Sequence, residues 1–209
     1  MHLMESRVGK ILLIIIALLA INAAFITPGS WGSVAGLLPA LFLGIALLIL
    51  LASFASRRSA RECWHNLIIP HILIISAITI NSGHINWTEV IMYMAGAFVA
   101  YMIGIFCLQK TYSIDKDVSL NKYHGYVYED KVTAVLFLIA SIGLLGFPVT
   151  TAFIGIDVFF TYVGSGQPVL IALLALCFIF IELAAIRIFL RIYMGPHKKL
   201  YHPVAFRSS

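Results

Sequence analysis

Apolar residues run along this chain in long blocks, separated by short polar or charged segments. A helix that crosses a membrane needs about 20 apolar residues. The blocks predict six such helices, over about 9–26, 34–55, 64–80, 89–109, 131–163 and 168–194. The second is entered through Pro28-Gly29-Ser30-Trp31-Gly32. The reading is an all-α integral membrane fold, one transmembrane domain over 1–209, with its fifth helix broken near Gly146-Pro148.

The fifth block is too long for one crossing. Within it stand Gly143, Gly146, Pro148, Thr150, Thr151 and Gly155. Pro148 lacks a backbone donor and clashes with the preceding turn. It also pushes Phe147 out of the helical region. A break over about 146–152 follows, shaped by Gly146, Pro148, Thr150 and Gly155. Lipid does not satisfy freed backbone groups, so such a break faces protein or water. Broken helices at membrane depth recur where ions bind or pass.

Composition agrees with the blocks. Of 209 residues, 61% are hydrophobic and 11% charged, roughly half the usual charged share. A chain of this length does not hide that much apolar surface in one core. A soluble globular domain, a disordered tail and a nucleic-acid binder are excluded. The bilayer is the partner. Residues 11–26 resemble the apolar part of a signal peptide, but Thr27-Pro28-Gly29 is a poor cleavage site. That segment is read as a retained first helix.

Lys and Arg mark the topology. They lie at 7 and 10, at 57, 58 and 61, at 110–131, and from 187 onward. The turns 27–33, 81–88 and 164–167 have none. Six crossings put every basic segment on one side, with both termini cytoplasmic. Trp31, Trp64 and Trp87 fall near the boundaries, as in an aromatic belt. The mixed-charge segment 110–130 is read either as a solvated loop or as a docking surface.

Ionisable residues inside a span are costly and usually functional. Glu182 lies near the middle of the sixth helix, and Asp157 follows the break. A 1.5 Å rise puts Asp157 ~10 Å and Glu182 ~21 Å from the non-basic face. The two are not level, and a water chain rather than a direct pair would link them. Arg187 and Arg191 share a face of the sixth helix, and snorkelling to the interface is the simpler reading. Arg187 is five residues from Glu182, about 140° around the helix, so the two do not pair simply. His71 follows Pro70 in the third helix, and a neutral imidazole relays protons near physiological pH. Asp157, Glu182, His71 and Arg187 are the candidate proton pathway. Each has a structural alternative, as a neutral, capped or hydrogen-bonded group. Cys63, Cys107 and Cys177 have no metal-ligand spacing. No nucleophile–base pair, metal cluster or phosphate loop is visible, so the chain is read as no enzyme, without cofactor or metal.

The stretch Leu144-Leu145-Gly146-Phe147-Pro148-Val149-Thr150-Thr151-Ala152-Phe153-Ile154-Gly155 resembles the broken helix of the proton-conducting antiporter-like subunits of respiratory complex I and Mrp antiporters. Tyr123-His124-Gly125 followed by Lys131-Val132-Thr133-Ala134 is similar to the loop before that helix. The wording through Asp157 looks closest to the DabB-like subunits of bacterial inorganic-carbon transport complexes. Two departures stand out. The superfamily's charge after Phe-x-Gly is here Ile156, and six helices with one break resemble the second half only.

The resemblance implies a subunit of a proton-motive-force-coupled bicarbonate/CO2 uptake complex in a bacterial inner membrane. Its partners would be another antiporter-like membrane subunit and a large cytoplasmic, zinc-containing, carbonic-anhydrase-like subunit of the DabA type. The alternatives are a non-conducting structural subunit, or a subunit of a cation/proton antiporter or respiratory complex.

Overall fold

The computed structural model describes residues 37–82, 87–147, 150–163 and 166–196, without the side chains of Asp157 and Val158. The expected first helix over 9–26, the turn 27–33, and Pro148 lie outside the described residues. Among the described residues six α-helices follow one another. They are α1 (Leu38–Ala55), α2 (Ala60–Ser82), α3 (Trp87–Asp115), α4 (Lys131–Leu144), α5 (Thr151–Tyr162) and α6 (Pro168–Tyr193). A short 3-10 turn, Tyr126–Tyr128, precedes α4. Among the described residues there is no strand, so the all-α expectation is borne out.

Among the described residues four helices, α1, α2, α3 and α6, are long and apolar enough to span a membrane. The stretch read as a broken fifth helix is α4 plus α5, of 14 and 12 residues. At 1.5 Å per residue neither reaches across a ~30 Å hydrocarbon core, and end to end they do. Pro168 starts α6 at the helix position where a missing N–H costs least.

The helices also run past the apolar blocks. α2 starts at Ala60 and α3 continues to Asp115. Polar residues hold these extensions. The Ala60 amide donates to Val118 O at 2.8 Å, and Arg61 lies 3.8 Å from the Tyr112 ring centroid. Charge alone made 110–130 read as an open loop. Instead its first part is helix, and the rest folds back onto the bundle. Val118, Leu120, His124 and Tyr126 are buried there.

α2 is the innermost span and touches α1, α3, α5 and α6. Lipid tails are as apolar as Leu, so helix association in a bilayer rests on close packing and hydrogen bonds. Small residues provide the closeness. Gly104 of α3 lies against the indole of Trp64 on α2. That indole donates to Tyr101 O at 3.0 Å and packs on Phe137 of α4.

The two ends differ in chemistry. Every Lys and Arg among the described residues lies at or within two turns of the end where α1, α3 and α6 finish. The other end has no Lys or Arg among the described residues and is clipped by hydrogen bonds. Asn81 and Gln167 exchange two amide hydrogen bonds at 3.1 and 2.9 Å, and Tyr162 donates to Glu89 at 2.7 Å.

Candidate functional site

Pro70 stands inside α2, where it removes one backbone bond without ending the helix. His71 follows it, and because α2 begins at Ala60, His71 lies at mid-helix. It is fully buried. Its Nδ1 is 2.6 Å from the hydroxyl of Tyr93 on α3, with the two rings 5.5 Å apart. Its Nε2 is buried and has no hydrogen-bond partner among the described residues.

Tyr93 is the residue that sequence reasoning missed. It is fully buried, and its ring meets Phe159 of α5 edge-on at 4.7 Å. Gly155 of α5 lies against the same ring. A Cβ at Gly155 would be 2.5 Å from Tyr93 Cβ and 3.0 Å from its Cγ, so only glycine lets α5 approach. Three residues along α3, Gly96 supports the first turn of α5. A Cβ there would be 2.7 Å from the Ala152 amide. One helix therefore holds both the partner of His71 and the seat of the broken helix. The available signal was a tyrosine followed by Gly96, Ala97 and Ala100, a small-residue face in an apolar helix.

The break is built as follows. Gly146 takes φ +67°, the left-handed conformation that glycine adopts freely. Its amide donates to Gly143 O at 3.2 Å, and the Phe147 amide donates to Ile142 O at 3.3 Å. These two bonds are a Schellman cap, which satisfies the last carbonyls of α4. Phe147 O then accepts both the amide and the hydroxyl of Thr150, at 2.7 and 2.8 Å. The freed backbone groups of Gly146, Phe147 and Thr150 are thus bonded within the chain.

The four pathway candidates do not form one cluster. His71 is buried at mid-helix and bonded to Tyr93, which packs on the helix that carries Asp157, while Glu182 is exposed on α6. Asp157 lies within α5, and its side chain is outside the description. Arg187 serves another helix. Its guanidinium donates to Phe54 O, and to Ser56 O at 2.8 Å, and lies 5.4 Å from the Phe54 ring centroid. A cation on the last carbonyls of α1 is a favourable C-terminal cap.

A second polar network closes the basic end. Lys110 lies 2.6 Å from Asp130 and donates to Thr133 at 2.9 Å. Asp130 caps α4 by accepting the Thr133 amide at 3.0 Å. The hydrogen bond from Lys110, then those from Thr133, hold the Asp130 carboxyl down at about 2. Lys122 does the same for Asp117, also at about 2. His124 donates from Nε2 to Ser119 O at 2.9 Å, and its amide donates to Arg191 O at 2.9 Å. This segment is tied to the end of α6.

Residues 69–182 match the model of a family described as NADH:quinone oxidoreductase/Mrp antiporter, transmembrane part. The matched stretch begins just ahead of His71 and takes in α3, the break and α5, ending at Glu182. No curated protein and no solved structure matches the chain.

Proposed function

Because the chain belongs to the NADH:quinone oxidoreductase/Mrp antiporter transmembrane family, we propose that it is a membrane subunit of a proton-translocating module, with His71 and Tyr93 as a relay beside the helix break. The observation that carries this reading is His71 itself. One ring nitrogen is bonded to Tyr93, and the other is buried and without a partner among the described residues. A neutral imidazole takes up a proton on one nitrogen and releases one from the other. In this sense of travel Nε2 receives the proton, Nδ1–H is given to the Tyr93 oxygen, and the tyrosine's own proton is released toward Asp157 on the next helix, the proposed acceptor. Asp157, one helix away, remains the proposed flanking group, while Arg187 is engaged in capping α1. The break keeps α5 in contact with Tyr93 through Gly155.

We assign the module to inorganic-carbon uptake, on the wording of residues 144–157. The proposed partners are a second antiporter-like membrane subunit and a large zinc-containing, carbonic-anhydrase-like subunit. That subunit would sit at the basic end, on the cytoplasmic side by the positive-inside rule. The membrane is then the bacterial inner membrane, with both termini cytoplasmic. The chain moves protons and does no covalent chemistry of its own.

The test is bicarbonate accumulation in energised cells, with and without an uncoupler. Wild-type accumulation falls with the uncoupler. His71→Leu removes the uncoupler-sensitive part while the complex still assembles. Full uptake by an assembled His71→Leu complex contradicts the relay. A second reading, a structural subunit that conducts nothing, draws on the separation of Glu182 from His71. It predicts that full uptake.

A further inference from the structure

α3 and α6 each turn a stripe of side chains away from the bundle. On α3 every exposed residue from 91 to 106 is apolar, including Ile91, Phe98, Met102 and Phe106. Hydrocarbon tails suit that face. On α6 the exposed stripe is Ala172, Leu176, Ile179, Leu183, Ile186 and Leu190, with intervals of four, three, four, three and four. Its spacing is like that of α3, and its chemistry is not, because Glu182 lies beside Leu183 and is exposed. The other carboxylates with described side chains lie at helix ends or in 115–130. Glu182 lies ~21 Å along α6 from Pro168, at mid-membrane. A carboxylate facing lipid there is unfavourable, and such groups pair with another residue.

We propose that the outer face of α6 seats a transmembrane helix of another subunit, and that this helix carries a Lys or Arg level with Glu182. The 3-4 spacing gives a seam with Leu176, Leu183 and Leu190 at one set of positions and Ala172, Ile179 and Ile186 at the other. Glu182 flanks that seam, where charges select the partner in helix pairs. A second copy of the chain is a poor occupant. Two copies in one membrane are parallel, and Glu182 would meet the second copy's residue five positions on, Arg187. That guanidinium already donates through both terminal nitrogens to Phe54 O and Ser56 O. The chain's own residues 1–36 are no better, since their cations, Arg7 and Lys10, precede the apolar block. The remaining occupant is a foreign helix with a cation at mid-depth. The inference rests on α6 spanning the membrane, and not on proton transfer.

The experiment uses the full chain in its native membrane. A photoreactive benzoylphenylalanine replaces Leu183, the cross-linked peptide is identified by mass spectrometry, and yield is compared in Glu182→Gln and Glu182→Lys backgrounds. The expected product is a spanning helix of another chain, with Lys or Arg within one turn of the cross-linked residue. Yield falls about fivefold in Glu182→Gln and further in Glu182→Lys. Reversing the partner's charge restores the Glu182→Lys yield. Cross-links only to lipid, to residues 9–26 or to a second copy overturn the proposal. So does a partner helix without a cation, or a yield indifferent to Glu182. Failure here leaves the His71 relay standing, because proton movement is not what is read.

Discussion

His71 and Glu182 lie at comparable depth in their helices and have opposite surroundings. His71 is enclosed by the bundle, bonded to Tyr93, and held beside a broken helix by glycines. Glu182 is exposed on the outside of α6. An ionisable group inside the bundle has its partner chosen by the fold of one chain. A group on the outer face has its partner chosen by assembly. On our proposals, what looked like one pathway becomes two tasks, a relay within this subunit and a contact between subunits.

The contrast is most easily broken at Gly155. Gly155→Leu leaves no room between α5 and Tyr93, and overpacking of this kind costs roughly 1–3 kcal/mol or more. The expected outcome is loss of monodisperse protein in size-exclusion chromatography in detergent. Retention of a stable, assembled chain would show that α5 does not sit on Tyr93.

Arg187→Met comes next. It removes charged donors from the end of α1, which are worth roughly 1.5–3 kcal/mol apiece and less where water reaches them. Thermal stability should fall while proton transfer in the surviving protein is unchanged. Arg187 then belongs with the scaffold and leaves the pathway. A stable variant that no longer moves protons would return it there.

Gly146→Ala places a Cβ at φ +67° and against Ile156. The conformational part of the cost is about 1 kcal/mol, and the Ile156 contact adds to it. A thermal midpoint unchanged from wild type would argue against the Schellman closure.

The smallest effect is expected at the basic end. Asp130 has a folded carboxyl pKa of about 2, below the ordinary 3.8. A depressed carboxylate contributes stability above its ordinary pKa and loses it as pH falls from about 4 toward 2. The group is partly exposed, so the contribution is ~1 kcal/mol at most after screening. Thermal midpoints in detergent between pH 5 and 2.5 should show that loss in wild type and a smaller one in Lys110→Met. Equal losses would remove Lys110 as the cause.

The broken helix was legible because its cause is local. A proline restricts its own backbone and that of the residue before it, here Phe147, and Gly146 permits the left-handed turn, so no tertiary contact is needed to see the break. The face that Glu182 occupies was not legible, since α6 is apolar nearly all round and its rotation is fixed by α1, α2 and α4. Tyr93 was missed for a related reason, because meeting His71 depends on the register between α2 and α3. The role of Arg187 depends on Phe54 and Ser56, more than 130 residues earlier in the chain. Segment 110–130 read as a solvated loop or a docking surface because its charges outnumber Val118, Leu120 and Tyr126, the few side chains that anchor its later part.

The central claim is that protons pass through His71 and Tyr93. The most direct test is acidification of pyranine-loaded vesicles that carry the assembled complex, after an external acid pulse. Tyr93→Phe keeps the ring and removes the hydroxyl, leaving Nδ1 without its partner, and a loss of about 1–3 kcal/mol corresponds to a roughly 5- to 150-fold slower step. Our account predicts proton entry slowed about tenfold or more in Tyr93→Phe and abolished in His71→Leu, with the complex intact. Wild-type rates in both assembled variants would contradict it.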